Sequence, residues 1–410
     1  EVEKADIEGD GRKVDFGALY ERKMPLLRTA FKNARNGLKG EMKEFYMKEK
    51  WWLRDFAIFM ALKNHHGGKS FKEWEEKYKL RDKEALYSFV SANHTETEFW
   101  IFTQYFFFRQ WFRLKEYVNK LGIKIIGDIP IYVSEDGSDI WSAPEMFRLD
   151  EDLDMITKAG CPPDAFTDEG QLWGNPIYDW DAMKEDGYSW WIKRIRESFR
   201  LYDVVRIDHF RGFESFWEIE GHSDTAKSGW WSEGPGMDLF GEVKERLGEP
   251  EIMAEDLGFL TPEVTELIES TGFPGMKVLV FAFDSRENSD YLPHNYIKNS
   301  VVYTSNHDTQ TVCGYMESAP EDERNFAVEY LLLSSSEGYG RGFMRGAWAS
   351  VSYLAVAPMQ DLLNLGDKAR FNIPSTLGGN WQWRMKAGDI TPDAEDFLKK
   401  LNRTYRRNNA

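Results

Sequence analysis

The chain has 410 residues, 42% hydrophobic and 30% charged, with a formal net charge of −17. That balance excludes a disordered polymer, and the acidic excess argues against general nucleic-acid binding, which needs clustered Lys and Arg. No apolar run approaches the ~18 residues of a membrane span. Cys161 and Cys313 alone supply cysteine, so neither a disulfide framework nor a zinc spacing is available, and a reducing, cytoplasmic setting is expected.

The first segment, 1–17, is charged and contains Gly, with no apolar core of the kind a signal peptide carries. Residues 18–116 read as mostly helix. The stretch 51–68 has helical apolar spacing and stops at Gly67-Gly68, while Phe99, Phe102, Phe106 and Leu114 keep a three-to-four residue rhythm through 96–122. After Gly122 the pattern changes to short β-branched runs: 124–133, 203–210, 251–258, 276–283, 300–308 and, less regularly, 351–363. Helical patterns at 188–202 and 261–271 lie between them, the second opened by Thr261-Pro262. Strands alternating with helices imply a parallel sheet. The expected organisation is a helical insertion over 1–116 and a single catalytic domain carrying the strands over 117–410. The Gly-rich run 337–346 follows no clear strand and reads as a flexible loop. The acids of 134–139 lack a calcium-loop spacing, and His65-His66 reads as a helix end. No metal or other cofactor is expected.

Charge collects at the ends of the apolar runs. Arg206, Asp208 and His209 close one, Glu255 and Asp256 another, and His307 and Asp308 a third, with Asp128 on the 124–133 run. In a parallel α/β barrel, strand C-termini converge on one open face. Two carboxyl groups are the minimum for retaining glycoside chemistry: one ionised to attack the anomeric carbon, one protonated to release the departing oxygen. A third can stabilise developing positive charge, and an Arg two residues before the nucleophile favours its ionised form. The 16 Trp, 18 Tyr and 28 Phe suit an enzyme that stacks rings on sugar faces.

At these residues the chain resembles the 4-α-glucanotransferases (amylomaltases, or disproportionating enzymes) of the α-amylase-like clan. The resemblance runs through 127–147, 159–180, 204–213 ("VVRIDHFRGF"), 252–264 ("IMAEDLGFLTPEV"), 272–283, 291–296 and 379–384 ("GNWQWR"). It implies a (β/α)8 TIM-barrel type α/β fold with a helical insertion. It makes Asp208 the nucleophile, Glu255 the general acid/base and Asp308 the transition-state stabiliser. Arg206 and His307 are implied to hold sugar at the cleavage point, and Asp128, from its place at a strand end, is expected to join the substrate-binding residues. A loop over 160–176 is implied to bring Phe166, Gln171 and Trp173 to substrate, with Phe281 and Asn380 as further sugar contacts. The implied reaction moves α-1,4-glucan segments between maltooligosaccharides, starch- or glycogen-derived glucans and glucose, with no nucleic-acid or membrane partner.

Departures from the family pattern set further expectations. About two strands of the eight-stranded pattern are expected ahead of residue 1, so the chain reads as N-terminally incomplete, with exposed strand edges. The stretch 305–310 reads "SNHDTQ" where relatives have "GTHDND", and Val280 stands where many have Gln. Rival readings are a hydrolytic α-glucosidase or amylase of the same clan, and an inactive glucan-binding homologue.

Overall fold

A computed structural model describes residues 11–163, 168–258, 260–286 and 288–407. The chain folds as two compact units, the first built mainly from 19–252 with 261–271, the second from 6–18, 253–260 and 272–410.

In the first unit the expected helical stretch forms helices Met24–Ala34, Lys39–His65, Lys83–Ala92 and His94–Lys120. Their aromatic stripes are the packing surface. Phe31 meets Phe99 and Phe102 edge-on at centroid distances of 5.7 and 5.3 Å, the geometry ring quadrupoles favour. His66 closes the second helix, its ring nitrogen 2.8 Å from the Leu62 carbonyl and its face stacked on Trp74. The acids of 134–139 serve this packing too: Asp136 accepts from the Phe71 N–H and pairs with Lys63, and Glu135 pairs with Lys72.

The strands of this unit are β1 (Ile126–Pro130), β2 (Thr157–Cys161), β3 (Gln171–Pro176), β4 (Val204–Asp208), β5 (Ser215–Glu220), β6 (Gly229–Glu233) and the start of β7 (Ile252–Ala254), whose first residue ends the unit. β1 and β4 are parallel, as the alternation with helix Ser189–Leu201 predicts. Asp203 at the entry of β4 accepts the Ile125 N–H at 2.8 Å, and Lys115 reaches the Tyr202 carbonyl at 2.7 Å. Gly127 is required here, because a Cβ would lie 2.0 Å from the Tyr202 ring.

β2, β3, β5 and β6 make an antiparallel sheet in the order β3-β2-β5-β6, which the sequence reading did not foresee. Its segments carry Gly, Lys, Trp and Glu rather than a β-branched run. They are held instead by close backbone approach at Gly160 and by Glu218, buried and bonded to Arg148 and Ser232.

The second unit carries β8 (Gly275–Val278), β9 (Ser300–Tyr303) and β10 (Leu354–Val356), all parallel, in the order β10-β9-β8. Val278, Phe283, Val302 and Phe343 form part of its core. Two expectations are corrected. The run 276–283 is strand only to Val278 and then turns through a short 3-10 segment, Leu279–Phe281. The Gly-rich run 337–346 is mostly helix, Tyr339–Ala349, and not a loop. Its glycines permit close packing: a Cβ on Gly340 would meet the Asp361 carbonyl at 2.1 Å, and one on Gly342 the Leu333 side chain at 2.5 Å. The strands of the described residues form three sheets, and together with the helices they make a mixed α/β protein. No helix among the described residues is long and apolar enough to cross a membrane.

Candidate active site

The first unit positions its charged side chains by strand register. Asp128 on β1 and Arg206 on β4 are direct neighbours across the parallel pair, and Pro130 faces Asp208 in the same ladder. Arg206 is buried, yet its Nη1 donates to both carboxylate oxygens of Asp128 (2.7 and 2.6 Å) and lies 3.0 Å from Oδ1 of Asp208. One guanidinium therefore holds two carboxylates, each more than a third exposed, at the C-terminal ends of two adjacent strands. A planar guanidinium suits this task, since it stays charged when buried and offers several donors.

The chain turns sharply after Asp208. His209 takes a left-handed backbone at φ 52°, a conformation uncommon outside glycine. Burial, reinforced by the charge of Arg211, lowers the His209 pKa to about 3, so the imidazole is neutral at ordinary pH. The Trp173 ring packs edge-to-face on it at 4.7 Å, and Trp173 Nε1 donates to Gln171 Oε1 at 3.1 Å. Trp173 and Gln171 both lie on β3. Phe166 lies outside the described residues. Arg211 stacks 4.0 Å over Trp231 and donates to Ser215 Oγ at 3.2 Å.

In the second unit Glu255 and Asp256 follow β7. Both are buried. The Leu257 N–H donates to Glu255 Oε1 at 2.9 Å, and the Met276 N–H to Asp256 Oδ1 at 2.5 Å. Burial pushes the Asp256 carboxyl up from its ordinary range. Asp256 also needs Gly275, where a Cβ would lie 2.3 Å from Oδ2. Phe281 meets Tyr291 edge-on at 5.7 Å. Burial, together with the negative charges of Asp256 and Glu255, raises the Tyr291 phenol.

His307 and Asp308 stand in the turn after β9. His307 Nε2 is 3.1 Å from Asp308 Oδ2, and the His307 ring packs beside Trp381 at 5.2 Å. Asn306 Oδ1 accepts from the N–H groups of both Asp308 and Thr309, an Asx turn that fixes the backbone. Asn380 spends its amide on its own loop: Oδ1 accepts the Ile373 N–H, and Nδ2 reaches Thr376. Sequence reasoning missed Arg370, Asn372 and Trp381, which touch the 307–308 pair. They lie in an irregular segment with neither strand alternation nor helical rhythm; only Trp381 falls within a run that carries the resemblance, 379–384. Among the described residues no group of three or more His, Cys, Asp or Glu could hold a metal ion.

Comparison with known proteins supplies the context. A family model described as 4-alpha-glucanotransferase matches residues 1–391. The chain is 45% identical over 413 residues to the 4-alpha-glucanotransferase of Clostridium butyricum, covering 99% of this chain and 85% of that protein. It is 47% identical over 416 residues to the enzyme of the same name from Streptococcus pneumoniae, covering 100% and 82%. Among solved structures, the amylomaltase from Streptococcus agalactiae in complex with acarbose matches with a TM-score of 0.96 at 42% identity, covering 98% of this chain and 82% of that one.

Proposed function

Because the chain belongs to the family of 4-alpha-glucanotransferases, its reaction is transfer of α-1,4-glucan segments, and we propose that Asp208, Glu255 and Asp308 carry the chemistry. Asp208 attacks the anomeric carbon of a donor maltooligosaccharide while Glu255 gives a proton to the departing 4-oxygen. The glucosyl enzyme persists until the 4-hydroxyl of an acceptor glucan or glucose enters. Glu255, now ionised, takes the acceptor's proton, and the new bond forms with the original configuration retained. Asp308 stabilises the oxocarbenium-like transition states on both legs. Arg206, Asp128 and His307 bind the sugar at the cleavage point, and Gln171, Trp173, Phe281, Phe166 and Asn380 contact sugar further along.

The observation that carries this reading is Arg206. A buried cation bonded to two partly exposed carboxylates at adjacent strand ends orients Asp208 and limits its rotation, as a nucleophile requires. The acarbose complex of the S. agalactiae relative supports maltooligosaccharides, starch- or glycogen-derived glucans and glucose as the partners. For the fold we propose the (β/α)8 TIM-barrel type, supported by the parallel pairings of β1 with β4 and of β8, β9 and β10. On this reading the helices of 1–116 form an inserted subdomain, and 117–410 is the catalytic domain. Two cysteines in 410 residues support a cytoplasmic setting.

Incubation with maltotriose tests the assignment. Glucose plus oligosaccharides longer than the donor are expected from the native chain, and their loss from Asp208→Asn. Native-level transfer by Asp208→Asn would remove Asp208 from its role. Glucose and maltose alone from the native chain would mean hydrolysis.

A further inference from the structure

We propose that Asn372 is a positioning residue for Asp308, fixing the orientation of its carboxylate from the neighbouring 370–372 segment. The inference rests on the reading of Asp308 as the transition-state stabiliser.

The carboxylate of Asp308 is 38% exposed. Left to itself, such a side chain samples several rotamers. Here both oxygens are engaged. Asn372 Nδ2 donates to Oδ1 at 2.6 Å, and His307 Nε2 stands 3.1 Å from Oδ2. The short Asn372 bond is a charge-assisted one, the kind that is strongest and most directional. The amide's orientation follows from chemistry, since turning it over would set its oxygen against the carboxylate.

The segment bearing Asn372 is itself tied down at several points. The Asn372 N–H donates to the His307 carbonyl at 3.1 Å. Arg370 Nη2 donates to the Asp308 carbonyl at 2.6 Å, and its Nε to the Asn372 carbonyl at 2.8 Å. Arg370 thus bridges the two segments, and Asn372 clamps the His307–Asp308 dipeptide through backbone and side chain together. A carboxylate that must meet sugar hydroxyls in the transition state gains from being held in place beforehand.

The test is a double-mutant cycle on maltotriose disproportionation with Asn372→Ala, Asp308→Ala and the pair, read as kcat and KM separately. Asn372→Ala is expected to lower kcat on the order of 10–100-fold, with KM changing less. In the Asp308→Ala background, Asn372→Ala is expected to cost about twofold or less, because nothing is left to position. The same factor in both backgrounds would overturn the proposal. Where the Ala variant fails to fold, Asn372→Asp keeps the shape, removes the donor and should lose at least as much; native kcat in that variant also overturns it. Native kcat in Asp308→Ala would instead sink the role of Asp308 itself, so the two failures are distinct.

Discussion

Arg206 and Asp128 face each other in register across two parallel strands, and one guanidinium nitrogen bonds both carboxylate oxygens of Asp128 at 2.7 and 2.6 Å. The same nitrogen lies 3.0 Å from Asp208, so Asp128 and Asp208 share a single buried cation. Asp128 thereby fixes the position from which Arg206 serves Asp208.

Removing that cation should therefore do more than delete the proposed sugar contact. Arg206→Leu leaves two carboxylates at adjacent strand ends with their shared donor gone. Transfer from maltotriose is expected to fall on the order of 100-fold or more. Stability should drop by about 1.5–3 kcal/mol, the scale of hydrogen bonds to charged groups, less whatever water recovers at the two exposed carboxylates. Arg206→Lys keeps the charge without the planar fork and should recover only part of the activity. Native kcat in Arg206→Leu would contradict the shared-cation account; urea unfolding gives the stability arm.

Asp361 makes a second prediction. It is fully buried and accepts from Thr304 Oγ1 and Ser305 Oγ, both at 2.6 Å, and from the Val312 N–H at 2.9 Å. It joins the end of β9 to the start of helix Val312–Ser318, flanking the turn that carries His307 and Asp308. Asp361→Ala strands three buried donors, at about 1–3 kcal/mol each, and is expected to cost about 3–9 kcal/mol in chemical denaturation. Asp361→Asn keeps an acceptor and should lose less. Equal losses in the two variants would mean that the carboxylate's bonds are not what matters.

Which parts of this molecule the sequence disclosed has a physical explanation. Six strands were legible because each lies in a short, largely apolar run, and the helix His94–Lys120 because Phe99, Phe102 and Phe106 repeat at helical spacing. The candidate acids stood out because an apolar run that ends in Arg206, Asp208 and His209 has no packing reason to do so. The antiparallel sheet stayed hidden: β2 reads "TKAGC" and β6 "GWWSE", and their pairing depends on partners distant in the chain. The helix Tyr339–Ala349 was misread because its glycines mark contact with Asp361 and Leu333 rather than freedom. Arg370 and Asn372 act through loop geometry, which no local period encodes.

Gly127 tests the packing beneath the site. Its φ is ordinary, so conformational freedom is not the reason for glycine there. The Tyr202 ring would sit 2.0 Å from an added Cβ, and Tyr202 is held by helix Ser189–Leu201 and by Lys115 at its carbonyl. Gly127→Ala is expected to destabilise by about 1–3 kcal/mol, the usual cost of overpacking, despite Ala's smaller entropy loss. Because Asp128 is the next residue, the Asp128–Arg206 register should suffer and transfer activity should fall as well. A thermal midpoint at or above the native value would show that Tyr202 gives way without strain.

His209 gives the last prediction, and its sign follows from the direction of its shift. The folded imidazole is held at about 3, against an ordinary 6.5, first by burial and then by Arg211. Between those two values the unfolded chain binds the extra proton, so stability must rise with pH across that window. His209's contribution is fully present above about pH 6.5, declines as pH falls toward 3, and levels off below. His209→Asn tolerates the left-handed backbone and does not titrate. The unfolding free energy of the native chain relative to His209→Asn should therefore shrink from pH 6.5 to 3. A difference that stays constant over that range, or an NMR titration of the His209 ring centred near 6.5, would show that the imidazole is solvated and that the turn after Asp208 is open to water.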